Sequence, residues 1–171
     1  MIAPSGPFDA DAFRAGIAWL GDHFEVRHDP DILRREGYFA GDDTRRVREL
    51  DDALSDPNAS AIVCARGGYG AVRLLPSMSG DLRSRPKWLI GFSDISALHA
   101  HWARARLASW PAPMVAALGR GDPAMRASWL PATPGDVRAR FDSLQHLARP
   151  HHAQRLPPPA HPPPPAGPSL H

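Results

Sequence analysis

Apolar and polar positions follow two rhythms along the first two thirds of the chain. Phe13, Ile17 and Leu20 recur at helical spacing behind Asp9 and Asp11, either of which can cap the helix they define, and Gly21 ends it. Val47, Leu50 and Leu54 repeat that rhythm in a second helix, which starts at Asp42, Asp43 or Thr44 and stops at Asp56-Pro57. Short apolar runs separate these helices. Ile2-Ala3 reads as the end of one strand and Phe24-Glu25-Val26 as a second. Ala59 to Ala65 is a continuous run of small and β-branched residues, the composition of a strand buried on both faces, and Trp88-Leu89-Ile90 is another. Ala71 to Leu75 reads as a short helix and Ile95 to about Ala105 as a longer one. Alternating strands and helices predict an α/β fold, a parallel Rossmann-like sheet with helices on both faces.

The rhythm fails toward the end. Residues 1–120 read as one α/β domain, 121–147 as a partly helical stretch, and 148–171 as a tail of proline, histidine and alanine. Proline lacks an N–H and fixes φ, so Pro157-Pro158-Pro159 and Pro162 to Pro165 predict polyproline II or disorder. The 43% hydrophobic fraction of the 171 residues is enough for a real core. With a formal net charge of +2 and its arginines scattered, the chain has no basic stripe for nucleic acid. No run of about 18 apolar residues is present, so no membrane span is expected. The opening Met1-Ile2-Ala3-Pro4-Ser5 lacks the charged and apolar regions of a signal peptide, and the expected compartment is the cytoplasm. Cys64, the single cysteine, excludes an internal disulfide and reads as a buried strand residue.

Ligands of parallel sheets bind beyond the carboxyl ends of the strands, and two loops fall there. In Gly91-Phe92-Ser93-Asp94-Ile95 a serine follows a buried strand and precedes a helix. A sharp turn in that position lifts a hydroxyl above the sheet, where it can act as a nucleophile. The second glycine of the G-x-S-x-G pattern is missing, and a serine or aspartate here can equally cap the helix. In Arg66-Gly67-Gly68-Tyr69-Gly70 the glycines let backbone N–H groups converge on an anion, a phosphate or a tetrahedral oxyanion. A tight turn that serves packing alone is the alternative. The dinucleotide and P-loop glycine spacings are absent, which disfavours a nucleotide-binding domain. Of His23, His28, His99, His101 and His146, none pairs with a carboxylate by spacing, so no base for Ser93 is legible.

Several segments, in order, resemble the LD-carboxypeptidase family of serine peptidases, which includes muramoyltetrapeptide carboxypeptidases and microcin C immunity peptidases. They are Ala3-Pro4-Ser5-Gly6-Pro7, Gly37 to Asp43 with Arg45 or Arg46, Ala61 to Gly70 with Arg73-Leu74-Leu75-Pro76, and Pro86-Lys87 with Leu89 to His99. Together they cover roughly Met1 to Leu107. The resemblance implies a flavodoxin- or amidotransferase-like domain that helps to cleave an L,D-amide bond of murein tetrapeptide or a related peptide. It implies Ser93 as nucleophile, the N–H groups of Gly68 and Asp94 as oxyanion donors, and Arg66, Gly67 and Tyr69 as substrate contacts. No metal and no cofactor is implied, and the partner is a small peptide substrate rather than nucleic acid or membrane. The family's glutamate and histidine lie in a second domain. Trp110-Pro111-Ala112-Pro113-Met114-Val115 is similar to its H-G-P-M segment, with Pro111 in place of the histidine, and the likeness ends at about Gly121. A start inside the first strand and a proline-rich end lead us to expect a truncated or frame-shifted product. Such a product is weakly active or inactive, and it exposes apolar surface that favours association, in the simplest case a homodimer. The rival expectation is a non-catalytic fragment or binding module that keeps the glycine loop as an anion or carboxylate site.

Overall fold

The structure is a computed structural model, and it describes residues 1–79 and 81–129. Helix α1 (Ala10–Gly21) is capped by Asp9, whose side chain accepts from the Ala12 N–H, and α2 (Asp43–Ser55) by Asp42, which accepts from Arg45 N–H. Both caps satisfy donors that a helix start leaves unpaired. The sheet consists of β1 (Ala61–Val63), β2 (Trp88–Ile90) and β3 (Ser109–Trp110), parallel and in that order. A 3-10 helix, Ala71–Ser77, follows β1. A 3-10 turn, Ser93–Ile95, leads from β2 into α3 (Ser96–Arg104). After β3 come the short helices α4 (Val115–Gly119) and α5 (Pro123–Ala127).

Successive strand residues point to opposite faces, and each face has its own core. Ile62, Cys64 and Leu89 pack with Leu50 and Leu54 of α2 and with Leu98 and Trp102 of α3. Ala65, Trp88 and Ile90 pack with Phe13 and Leu20 of α1 and Val115 and Leu118 of α4. Helices therefore cover both faces of a parallel sheet, the doubly covered α/β arrangement expected from the sequence. Trp129 joins the second core, with its indole N–H on the Pro113 carbonyl at 2.8 Å.

Three expected elements differ in detail. Ile2 is a single parallel bridge to Cys64 rather than a strand end. Phe24-Glu25-Val26 is irregular. The segment from Ala59 to Ala65 contributes only three ladder residues, because Cys64 and Ala65 already turn toward the glycine loop. Apolar composition marks burial, and burial does not require a ladder partner on each side. Beyond residue 129, the proline-rich tail and the rest of the 121–147 stretch lie outside the described residues. No described helix is long and apolar enough to cross a membrane.

Helices α1 and α4 touch backbone to backbone. A methyl group on Gly119 would sit 1.7 Å from the Ala12 carbonyl oxygen, and one on Gly16 would sit 2.1 Å from that of Val115. Glycine is required at both places, because any side chain would wedge the helices apart. The contact matters for the site. The α4 amides of Val115 and Ala116 donate to the Cys64 and Ala65 carbonyls at 3.4 and 3.1 Å, directly before the glycine loop.

Candidate active site

Ser93 stands at the carboxyl end of β2, exposed, with φ of 64°. A non-glycine residue in this left-handed region carries a backbone cost of ~1–2 kcal/mol, which the surrounding contacts must offset. Neither Ser93 nor Asp94 caps a helix: the 3-10 turn and α3 both begin without a side-chain cap. The helix-capping alternative is therefore not what these residues build. Ser96 Oγ instead donates to the Ser93 carbonyl at 2.6 Å, closing the turn from below.

The glycine loop lies against this turn. A methyl group on Gly67 would come within 3.3 Å of each of three atoms: Ser93 Cβ, the Phe92 carbonyl oxygen and Met114 Cε. Gly67 is buried, whereas Gly68 and Tyr69 are exposed. Gly68 has φ of 126° and packs on Gly6, whose N–H donates to the Gly67 carbonyl at 3.1 Å. Among the described residues, no backbone carbonyl takes the N–H of Gly68 or of Asp94. Arg66 is turned to the N-terminal loop, where its guanidinium donates to the Pro7 carbonyl. The Tyr69 ring lies 6.1 Å from that of Phe39 and is 63% exposed. Of the expected site residues, Gly67 lies against the Ser93 turn, whereas Arg66 is turned away to the N-terminal loop.

The side-chain roles of four residues in the site's framework escaped the sequence reading. Asp94 Oδ2 accepts from Ser5 Oγ at 2.7 Å and from Ala71 N–H at 2.9 Å, so its carboxylate joins two loops to the serine turn. Arg46 is fully buried and donates to the carbonyls of Pro4 at 2.7 Å and Gly70 at 3.3 Å, with Asp43 as its ion partner. Its guanidinium carbon lies 4.6 Å above the Phe39 ring centre. Arg45 and Glu49 form a second buried pair at 2.9 Å, and Glu49 also accepts from Ala3 N–H at 2.7 Å. Burial pushes the Glu49 carboxyl up, against the opposing pull of that N–H and of Arg45. Charged residues on a helix read as solvent-facing, so only the run Gly37 to Asp43 with Arg45 or Arg46 gave any signal of them.

His99 is no base for Ser93. Its Nε2 faces the Gly91 carbonyl at 2.8 Å behind the turn, and an imidazole nitrogen facing a carbonyl must donate. Cys64 is fully buried, and burial pushes its thiol well above the ordinary range, so it is inert. Among the described residues no cluster of histidine, cysteine and carboxylate side chains could hold a metal ion. A cavity of about 890 Å³ opens at the other end of the sheet, lined by Met1, Phe24 to Asp29 and Asn58 to Ala61. It contains neither Ser93 nor the glycine loop, so the site is defined by its chemistry rather than by that cavity.

An exposed serine with a left-handed backbone on a strand–turn–helix lies beside a glycine loop at the carboxyl edge of a parallel sheet, the edge where such α/β folds bind their ligands. Residues 1–112 match the LD-carboxypeptidase N-terminal domain, peptidase family S66, and the chain belongs to that family. It is 35% identical over 125 residues to the murein tetrapeptide carboxypeptidase of Pseudomonas aeruginosa, covering 70% of this chain and 40% of that protein. Among solved structures it is similar to the muramoyltetrapeptide carboxypeptidase of Oxalobacter formigenes, with 27% identity, a TM-score of 0.64, and 84% of this chain matched to 47% of that one. An MccF-like protein from Bacillus anthracis gives 28% identity and a TM-score of 0.62, with 69% of this chain matched to 38% of that one. The chain thus spans about 40% of the length of the curated relatives it matches.

Proposed function

We propose that this chain is the nucleophile-bearing portion of a serine-type LD-carboxypeptidase. Its substrate class is a small peptide with an L,D-amide bond, murein tetrapeptide or a related peptide, acted on in the cytoplasm. Ser93 Oγ attacks the scissile carbonyl carbon and the carbonyl oxygen becomes an oxyanion; the C–N bond breaks as the serine's proton passes through the base to the leaving amine, and water then cleaves the Ser93 ester to release the acid and restore the hydroxyl. The N–H groups of Gly68 and Asp94 receive the oxyanion, each worth about 3 kcal/mol of transition-state stabilisation. Arg66, Gly67 and Tyr69 line the approach of the peptide. The observation that carries the reading is the left-handed backbone of exposed Ser93, packed against Gly67.

The described residues offer Ser93 no histidine base, and a serine without its base loses about a million-fold in turnover. On this reading a glutamate and a histidine from outside the described residues complete the site, and without them L,D-tetrapeptide is hydrolysed weakly or not at all. The same observation favours a second reading, a binding module in which the glycine loop holds a peptide carboxylate and Ser93 is idle. A serine-reactive fluorophosphonate separates the two. Labelling that disappears in Ser93→Ala supports the nucleophile. A wild-type chain labelled no faster than Ser93→Ala counts against an activated Ser93 and favours the binding module. Self-association as a homodimer belongs to the same proposal.

A further inference from the structure

Two charged side chains, the buried Arg46 and the half-buried Asp94, act on one peptide group. The amide between Gly70 and Ala71 has its oxygen on Arg46 Nη1 at 3.3 Å and its N–H on Asp94 Oδ2 at 2.9 Å. The same two side chains also hold the N-terminal loop, Arg46 through the Pro4 carbonyl at 2.7 Å and Asp94 through Ser5 Oγ at 2.7 Å. Gly70 is the only residue type that fits between them. Its φ is 112°, and a methyl group there would lie 2.7 Å from the Phe39 ring and 2.9 Å from Arg46 Nη1. Asp94 is joined covalently to Ser93. Whatever fixes the Gly70–Ala71 peptide on Asp94 therefore fixes the downstream end of the glycine loop relative to the nucleophile.

We infer that Arg46 and Asp94 form an electrostatic clamp on the Gly70–Ala71 peptide and are positioning residues for the oxyanion donors. The inference rests on the Ser93 reading above and deepens it. A cation on the carbonyl end and an anion on the N–H end polarise the amide in one sense, so each bond strengthens the other. Small errors in donor placement cost large factors in rate, because the donors must meet an oxygen within a few tenths of an ångström. The loop's upstream end is held separately, by Gly6 N–H on the Gly67 carbonyl. Removal of the clamp frees one end of the loop and leaves the other attached.

The test uses the full chain in four forms: wild type, Asp94→Ala, Asp94→Asn and Arg46→Lys. Amide hydrogen exchange at Ala71 reads the clamp without reference to chemistry. Exchange at least tenfold faster in Asp94→Ala is expected, with most of the protection recovered in Asp94→Asn, whose amide oxygen still accepts. Arg46→Lys, which keeps the charge on a side chain one atom shorter, falls between. Fluorophosphonate labelling of Ser93 then reads positioning. The maximal rate falls about tenfold in Asp94→Ala while the half-saturating concentration moves less than twofold, and Asp94→Asn regains most of the loss. A purely structural role would not give that split or that rescue. Unchanged Ala71 exchange in a folded Asp94→Ala chain overturns the clamp, as does unchanged labelling. Absence of wild-type labelling above Ser93→Ala sinks the nucleophile reading instead, and Ala71 exchange still decides whether the clamp exists.

Discussion

The α1–α4 contact gives a prediction whose size can be worked out from the structure. Gly119→Ala places a methyl carbon 1.7 Å from the Ala12 carbonyl oxygen, and contacts under 3.0 Å essentially do not occur, so the helices must part by at least 1.3 Å. Phe13, Leu20, Val115 and Leu118 line that seam and are all but fully buried. A radial gap of about 0.5–1 Å already forfeits a quarter to a half of each dispersion contact, and a buried leucine makes some 40–60 contacts of about 0.1–0.2 kcal/mol each. Loss spread over four such residues, softened by relaxation, comes to roughly 3–5 kcal/mol. The better helix propensity of alanine returns about 1 kcal/mol. The net loss of roughly 2–4 kcal/mol is a large part of an ordinary domain's stability of about 5–15 kcal/mol. Urea unfolding followed by tryptophan fluorescence measures it as a lowered midpoint at unchanged slope. Gly16→Ala opens the same seam, so the double variant loses clearly less than the sum of the singles. A Gly119→Ala chain within 0.5 kcal/mol of wild type, or strictly additive variants, would refute the reasoning.

Three further outcomes follow from the site and its framework. Ser93→Gly is more stable than Ser93→Ala by about 1 kcal/mol, since only glycine sits at φ of 64° without strain, and paired urea melts check this. Cys64 resists iodoacetamide in the native chain and reacts only as fast as the chain unfolds, because its thiol is buried and un-ionised; mass spectrometry with and without urea distinguishes the two. The Glu49 carboxyl is raised above its ordinary 4.5 by burial, so folding favours its protonated form. That contribution is fully present below pH 4.5 and is lost as pH rises through the higher folded value. Relative to Glu49→Gln, the wild-type urea midpoint therefore declines over that window; a parallel pH course for both chains contradicts it.

The local code was legible in the sequence. The helix starts, narrowed to Asp9 or Asp11 and to Asp42, Asp43 or Thr44, the stops at Gly21 and Asp56, and the apolar runs that contain Ala61–Val63 and Trp88–Ile90 all depend on neighbours within a few residues, where propensity and periodicity act. The placement of the glycine loop and Ser93 at one edge followed from parallel topology alone, because both loops leave the carboxyl ends of strands. What the sequence could not disclose is the framework behind them. Arg46 and Glu49 sit on a helix whose charged positions read as solvated, yet both are buried. Their desolvation is met partly by helix neighbours, Asp43 and Arg45, and partly by groups far along the chain, Pro4, Ala3 and Gly70, and no local pattern encodes the distant partners. Asp94 looked like a helix cap and became a tie between Ser5 and Ala71. The left-handed backbone of Ser93 is likewise tertiary in origin: no propensity favours it, and only packing against Gly67 and the loops fastened around it holds a serine there.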